Sequence, residues 1–89
     1  MKMVMKMSKI LIKLYVPIIE AQYDILIPSN KRIYNVITLL TKAVNELSGG
    51  YYKPNKVPVL YDKATGAPYD NGLSIKESTI RNGTELILI

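Results

Sequence analysis

Between Lys9 and Pro28 the sequence carries two runs rich in β-branched and aromatic residues, KILIKLYV and YDILIP, with charged residues at alternating positions. Successive side chains of a strand point to opposite faces. With Lys9 and Lys13 toward water, Ile10, Ile12, Leu14 and Val16 face a core, and Asp24 outward turns Tyr23, Ile25 and Ile27 inward. Pro17 lacks a ladder donor and ends the first run. A short linker through Glu20, Ala21 and Gln22 leads to the second, so the pair predicts a hairpin.

The period then changes. Ile33, Val36, Ile37, Leu40, Val44 and Leu47 recur at the spacing of one amphipathic helix. Pro28-Ser29-Asn30 offers a turn and capping cluster ahead of it, and Ser48-Gly49-Gly50 ends it, because glycine takes the left-handed conformation at a helix C-terminus. After the polar connector 51–56, Val57 to Asp62 predicts a third strand with Pro58 near its start. The turn-forming residues of KATGAPYDNG then predict a loop from Asp62 to Gly72.

Leu73, Ile75 and Ile80 anchor a short irregular return, Asn82-Gly83 forms a tight turn, and Glu85 to Ile89 is an apolar closing strand. This order fits an α+β fold in which one helix packs on one face of a mixed sheet of four to five strands. The first and last strands lie parallel at the sheet centre, with the helix in the crossover. The domain is expected to span residues 9–89, with residues 1–8 expected as a disordered or extended N-terminal segment.

A chain of 89 residues, 48% hydrophobic and 21% charged, holds one domain and one core. The absence of Cys and His removes disulfides, thiolate metal sites, thiol nucleophiles and imidazole acid/base chemistry. Cysteine-free packing is compatible with a cytoplasmic location. The formal charge of +5 points to an acidic partner, nucleic acid or an anionic membrane, but Lys2 and Lys6 of MKMVMKM supply two of those charges. Four alternating methionines make each a candidate start, with Met7 the natural one. The apolar run Ile10–Ile19 is interrupted by Lys13, is not followed by a small-x-small cleavage site, and is too short to span a membrane, so neither a signal peptide nor a membrane span is expected.

Two stretches sharpen the fold. Ile33-Tyr34-Asn35-Val36 resembles the Ile-Glu-Asn-Val of ubiquitin's helix start. Leu73-Ser74, followed by Ile80-Arg81-Asn82-Gly83-Thr84-Glu85-Leu86-Ile87-Leu88, resembles the ubiquitin-like pattern Leu-Ser, then Ile-x-Asn-Gly-x-x-Leu-x-Leu. The chain therefore resembles the β-grasp, ubiquitin-like superfamily and, within it, the YukD/EsaB proteins of bacterial type VII (ESX/Yuk-like) secretion systems, over residues 9–89. That resemblance implies a cytosolic accessory or regulatory component. A similar domain fused to a membrane component in actinobacterial systems implies docking at the inner face of the membrane. Conjugating members need a flexible tail ending in Gly-Gly; here the sequence ends at Ile89 and its one Gly-Gly pair, Gly49-Gly50, follows the helix, so a non-conjugating role is expected.

Strand parity puts Leu11, Tyr15, Leu26, Ile87 and Ile89 on the face away from the helix, where a solvated sheet would be polar. If the first and last strands are neighbours, these residues form a contiguous apolar stripe, which marks an interface. The resemblance implies that the third strand adds Val59, Leu60 or Tyr61, of which Tyr61 is taken as the candidate. The expected partner is a protein, a membrane component of the secretion machine or a second copy of the chain.

The alternative is a small basic nucleic-acid-binding domain using Lys53, Lys56 and Lys63 with Tyr51, Tyr52 and Tyr61. Its two arginines, Arg32 and Arg81, are far apart and no nucleic-acid motif is present, so tyrosines packed flat on the domain are the better account. Asp62, Asp70 and Asn71 lack calcium-loop spacing and read as turn residues. No carboxylate pair falls where a pocket is expected, so no enzyme activity, metal or cofactor is expected.

Overall fold

The computed structural model describes residues 8–89; the expected N-terminal segment lies outside them except for Ser8. Strands β1 (Lys9–Val16) and β2 (Ala21–Pro28) form the expected hairpin, in unbroken register from the Lys9–Pro28 pair to the Val16–Ala21 pair. Helix α1 (Ile33–Leu47) follows, then β3 (Leu60–Asp62) and β4 (Glu85–Leu88). The sheet order is β2-β1-β4-β3, with β1 and β4 parallel at the centre and the other pairs antiparallel. This is the β-grasp arrangement: β1 enters, the chain crosses by way of the helix, and β4 returns beside β1 in the same direction.

The helix stripe packs on alternate residues of the sheet. Ile33, Val36, Ile37, Leu40 and Val44 meet Ile12, Leu14, Val16, Ile27, Leu60, Leu86 and Leu88, and Ile75, Ile80 and Tyr52 complete the core from the connecting segments. Leu47, expected in this stripe, is instead exposed. It lies in the last helical turn, where the chain reverses. The N–H of Gly50 donates to the Asn45 carbonyl at 2.8 Å and that of Gly49 to the Glu46 carbonyl at 3.1 Å, with Gly49 at φ 69°, so two orphan carbonyls are satisfied in a left-handed C-terminal motif. The reversed chain brings Tyr52 into the core, tied to the helix by Asn45 and Ser48.

The helix N-terminus departs from the expected capping cluster. Ser29 is buried, and both its N–H and its hydroxyl donate to the Ser8 carbonyl, so it is unavailable to the helix. Arg32 occupies the cap position without a side-chain cap, and the free N–H groups of Ile33 and Tyr34 donate to the carbonyls of Leu73 and Asn71 at 2.8 and 3.2 Å. The Leu-Ser stretch is thus a docking point for the helix.

Ser74 and Glu77 lock the next turn reciprocally, the Ser74 N–H donating to Glu77 Oε1 at 2.9 Å and the Glu77 N–H to Ser74 Oγ at 3.2 Å. Hydrogen bonding to the carboxylate from the Ser74 backbone N–H, and then from the Ser74 side chain, holds the Glu77 carboxyl below its ordinary value. A carboxyl depressed in the folded state adds stability above its ordinary value and loses it as pH falls through the folded one. We expect the acid limb of a urea-midpoint-against-pH curve to be shallower in Glu77→Gln than in the parent.

The third strand is shorter than expected. Val57 is exposed, and ladder pairing begins only at Leu60, although Val59 and Ile89 exchange both backbone bonds at 2.7 and 3.0 Å. The outer edge of β3 is closed by residues 67–69, with the Tyr69 N–H on the Leu60 carbonyl and the Asp62 N–H on the Ala67 carbonyl.

The Asn82-Gly83 turn also completes the parallel pairing. Asn82 Oδ1 accepts the Leu11 N–H at 2.8 Å and the Gly83 N–H donates to the Leu11 carbonyl at 2.7 Å, while Gly83, at φ 86°, holds a conformation that other residues adopt at a cost. Asn82→Ala should cost about 1 kcal/mol in urea unfolding, and Asn82→Asp, which keeps the acceptor, should recover most of it.

Candidate protein-binding surface

The face of the sheet away from α1 is built of cross-strand rows fixed by register. Alternate residues of one strand are about 7 Å apart along it, and neighbouring strands about 5 Å apart across it. In one row Leu26 of β2 pairs with Leu11 of β1, and the next position belongs to Gly83, which has no side chain. In the next row Asp24 pairs with Lys13 and Lys13 with Glu85, and Lys63, one residue beyond β3, donates its N–H to the Glu85 carbonyl. The third row is Gln22, Tyr15, Ile87 and Tyr61. Val59 and Ile89 continue the surface beyond it.

This register corrects the expected contiguous stripe. All six candidates face away from the helix, but the alternating-charge row separates Leu11 and Leu26 from Tyr15, Tyr61, Ile87 and Ile89. Parity sets the face; the offset between parallel β1 and β4 sets the neighbours, and it places Leu11 beside Gly83 rather than beside Ile87. The structure brings together Tyr15, Ile87 and Tyr61, half-buried side by side, with the exposed Ile89 and Val59 at the end of the sheet. Of the three third-strand residues offered by the sequence, Leu60 is in the core and Val59 and Tyr61 face outward.

The charged row borders this cluster directly. Lys63 Nζ lies 3.3 Å from Glu85 Oε2 and 5.5 Å from the centre of the Tyr15 ring. Both charged groups are solvated, so the pair adds little stability, but the ammonium over the ring fixes one edge of the aromatic surface. The result is an apolar centre of two tyrosines and two isoleucines with a charged row along one edge.

The residues considered for nucleic acid do not assemble. Lys63 is engaged on the sheet face, Tyr52 is buried, and Lys53 and Lys56 flank a groove beside the helix. Tyr51 stands 84% exposed, against the expectation that the tyrosines lie flat. It borders a separate hollow with Ile19 and Tyr23.

Asp62 and Asp70 act as turn residues: each Oδ1 accepts the N–H two residues on, from Ala64 at 3.0 Å and from Gly72 at 2.9 Å. Burial raises the titration of the Tyr52 and Tyr69 phenols, which suits packed rings rather than proton donors near neutrality. Among the described residues no helix is long and apolar enough to cross a membrane.

No family model and no curated protein matches the chain. Solved structures do. The ubiquitin-like domain of EccD5 from Mycobacterium xenopi is similar over 92% of this chain and 93% of its own, with 17% identity and a TM-score of 0.69. A chain of the MycP5-free ESX-5 inner membrane complex matches over 91% of this chain at 15% identity and a TM-score of 0.66; the match spans only 20% of that larger chain. A chain of the toluene 4-monooxygenase HD complex with the inhibitor 4-bromobenzoate matches over 91% of this chain and 96% of its own, at 11% identity and a TM-score of 0.74. At these identities the likeness shows the ubiquitin-like β-grasp fold, which hosts more than one function.

Proposed function

We propose that this chain is a protein-binding, ubiquitin-like module of a type VII secretion system, acting on a partner through the outward face of its sheet. The observation that carries the binding role is the cluster of Tyr15, Tyr61, Ile87 and Ile89, an apolar centre with a charged border on a face that no element among the described residues covers. The secretion assignment is supported by the likeness to an EccD5 ubiquitin-like domain and to part of an ESX-5 inner membrane complex.

In this proposal the module is cytoplasmic and sits at the inner face of the membrane through a membrane component of the secretion machine. It neither conjugates nor catalyses. Its Gly-Gly pair is a helix terminus, and Asp62 and Asp70 serve turns, Glu77 a capping box and Glu85 a surface pair with Lys63.

The test is co-purification with the membrane components of the type VII system of the same cell. Tagged parent protein should retain them. A Tyr61→Ala, Ile89→Asp double variant with an unchanged circular dichroism spectrum should lose them. Equal retention by that folded variant would sink the proposed surface, and association of the chain only with itself would replace the partner by a second copy.

A further inference from the structure

We propose that the groove between α1 and residues 52–58 docks an acidic peptide segment of a partner protein, as a second binding surface separate from the outward sheet face. The groove is open, about 710 Å³ in volume, and its accessible apolar lining is Pro54 and Val57 of the connector, over a floor in which Ile37 and Pro58 are buried. Three lysines stand around that lining, Lys42 from α1 and Lys53 and Lys56 from the connector. The chain has seven acidic residues, and none lines the groove. The three ammonium groups make no ion pair among the described residues. Three like charges gathered from two elements repel one another, and a ligand carrying carboxylates relieves that repulsion.

The rim is held at both ends. Tyr52 donates its N–H to Ser48 Oγ at 3.1 Å and accepts from Asn45 Nδ2 at 2.9 Å, and Val59 is fixed to Ile89 by two backbone bonds. The segment between them is therefore positioned before a ligand arrives, which lowers the ordering cost of binding. Val57, 79% exposed, presents an aliphatic side chain on the groove wall beside Pro54, a surface that a ligand's aliphatic side chain would cover.

The occupant these features favour is an extended segment with an aliphatic residue flanked by Glu or Asp. Lysine ammoniums act as mobile point charges and suit carboxylates without demanding fork geometry. Nucleic acid fits less well. The groove is lined by no arginine, and its only ring, Tyr52, is 3% exposed and offers no stacking face.

The test uses two fluorescein-labelled peptides, one with a central Ile-Leu flanked by glutamates and one with glutamine in place of each glutamate, titrated into the full chain. Amide shifts in ¹⁵N spectra and fluorescence anisotropy are the readouts. The Glu peptide should move the amides of Lys42, Asn45, Tyr52, Lys53 and residues 55–57, and the Gln peptide should bind at least about tenfold more weakly. Lys42→Glu, Lys53→Glu and Lys56→Glu together should abolish binding, with the triple Lys→Gln version intermediate, whereas reversing Lys9, Lys31 and Lys76 should leave it within about twofold.

Equal binding of the two peptides, shifts confined to other surfaces, or indifference to the groove reversals would each overturn the proposal. So would an oligo-uridine probe that outcompetes the Glu peptide at the same amides. None of these outcomes bears on the sheet-face surface, which has its own variants.

Discussion

Leu86→Ala should lower the unfolding free energy by about 3 kcal/mol, read as a drop in urea midpoint at unchanged slope. Leu86 is fully buried and lies between Leu14 on β1 and Asp62 on β3, in the strand that joins the two halves of the sheet. Its loss leaves a cavity at the point where the parallel pair meets the helix. Domains of this size hold only about 5–15 kcal/mol in total, so one such cavity removes a large share. Ile87→Ala, one residue on, should cost less than about 1 kcal/mol, because that side chain is half-buried on the opposite face. The contrast measures the division of labour along β4.

The second large effect is on binding. Ile87→Asp puts a carboxylate between Tyr15 and Tyr61, its cross-strand neighbours, at the centre of the apolar cluster. Desolvating that charge against a partner should weaken association by about 30-fold or more, the equivalent of roughly 2 kcal/mol. Leu11→Asp, beyond the charged row, should weaken it by less than about threefold if the partner covers only the Tyr15–Tyr61 cluster. Titration by isothermal calorimetry with the purified partner separates the two. Equal losses would mean that the partner spans the charged row and contacts both patches.

Much of the fold is legible in the sequence because its local and global signals agree. Lys9 and Lys13, of one parity in β1, announce which face is solvated, the helix stripe runs from Ile33 to Val44 without interruption, and Asn82-Gly83 marks the turn that closes the parallel pair. What the sequence hides depends on distant partners. Ser29 reads as a helix cap until Ser8 is seen to accept both of its donors. Leu47 has the right phase for the core but sits where the chain turns back and Tyr52 enters.

The same limit governs the surface. Parity correctly turns Leu11, Tyr15, Leu26, Ile87 and Ile89 away from the helix, yet alternation carries no information on how far one strand is slid along another. Only the pairing of Lys13 with Glu85 shows that a charged row divides them. The lysine groove is equally invisible along the chain, because Lys42 meets Lys53 and Lys56 only after the reversal at Gly49 and Gly50.

The most direct test of the central claim is a ¹⁵N spectrum of the chain with and without the detergent-solubilised type VII membrane complex. Binding through the sheet face predicts selective broadening at Tyr15, Tyr61, Ile87 and Ile89, with Tyr34 and Leu39 on the exposed side of the helix unaffected. No broadening, or broadening confined to the helix side, would contradict it.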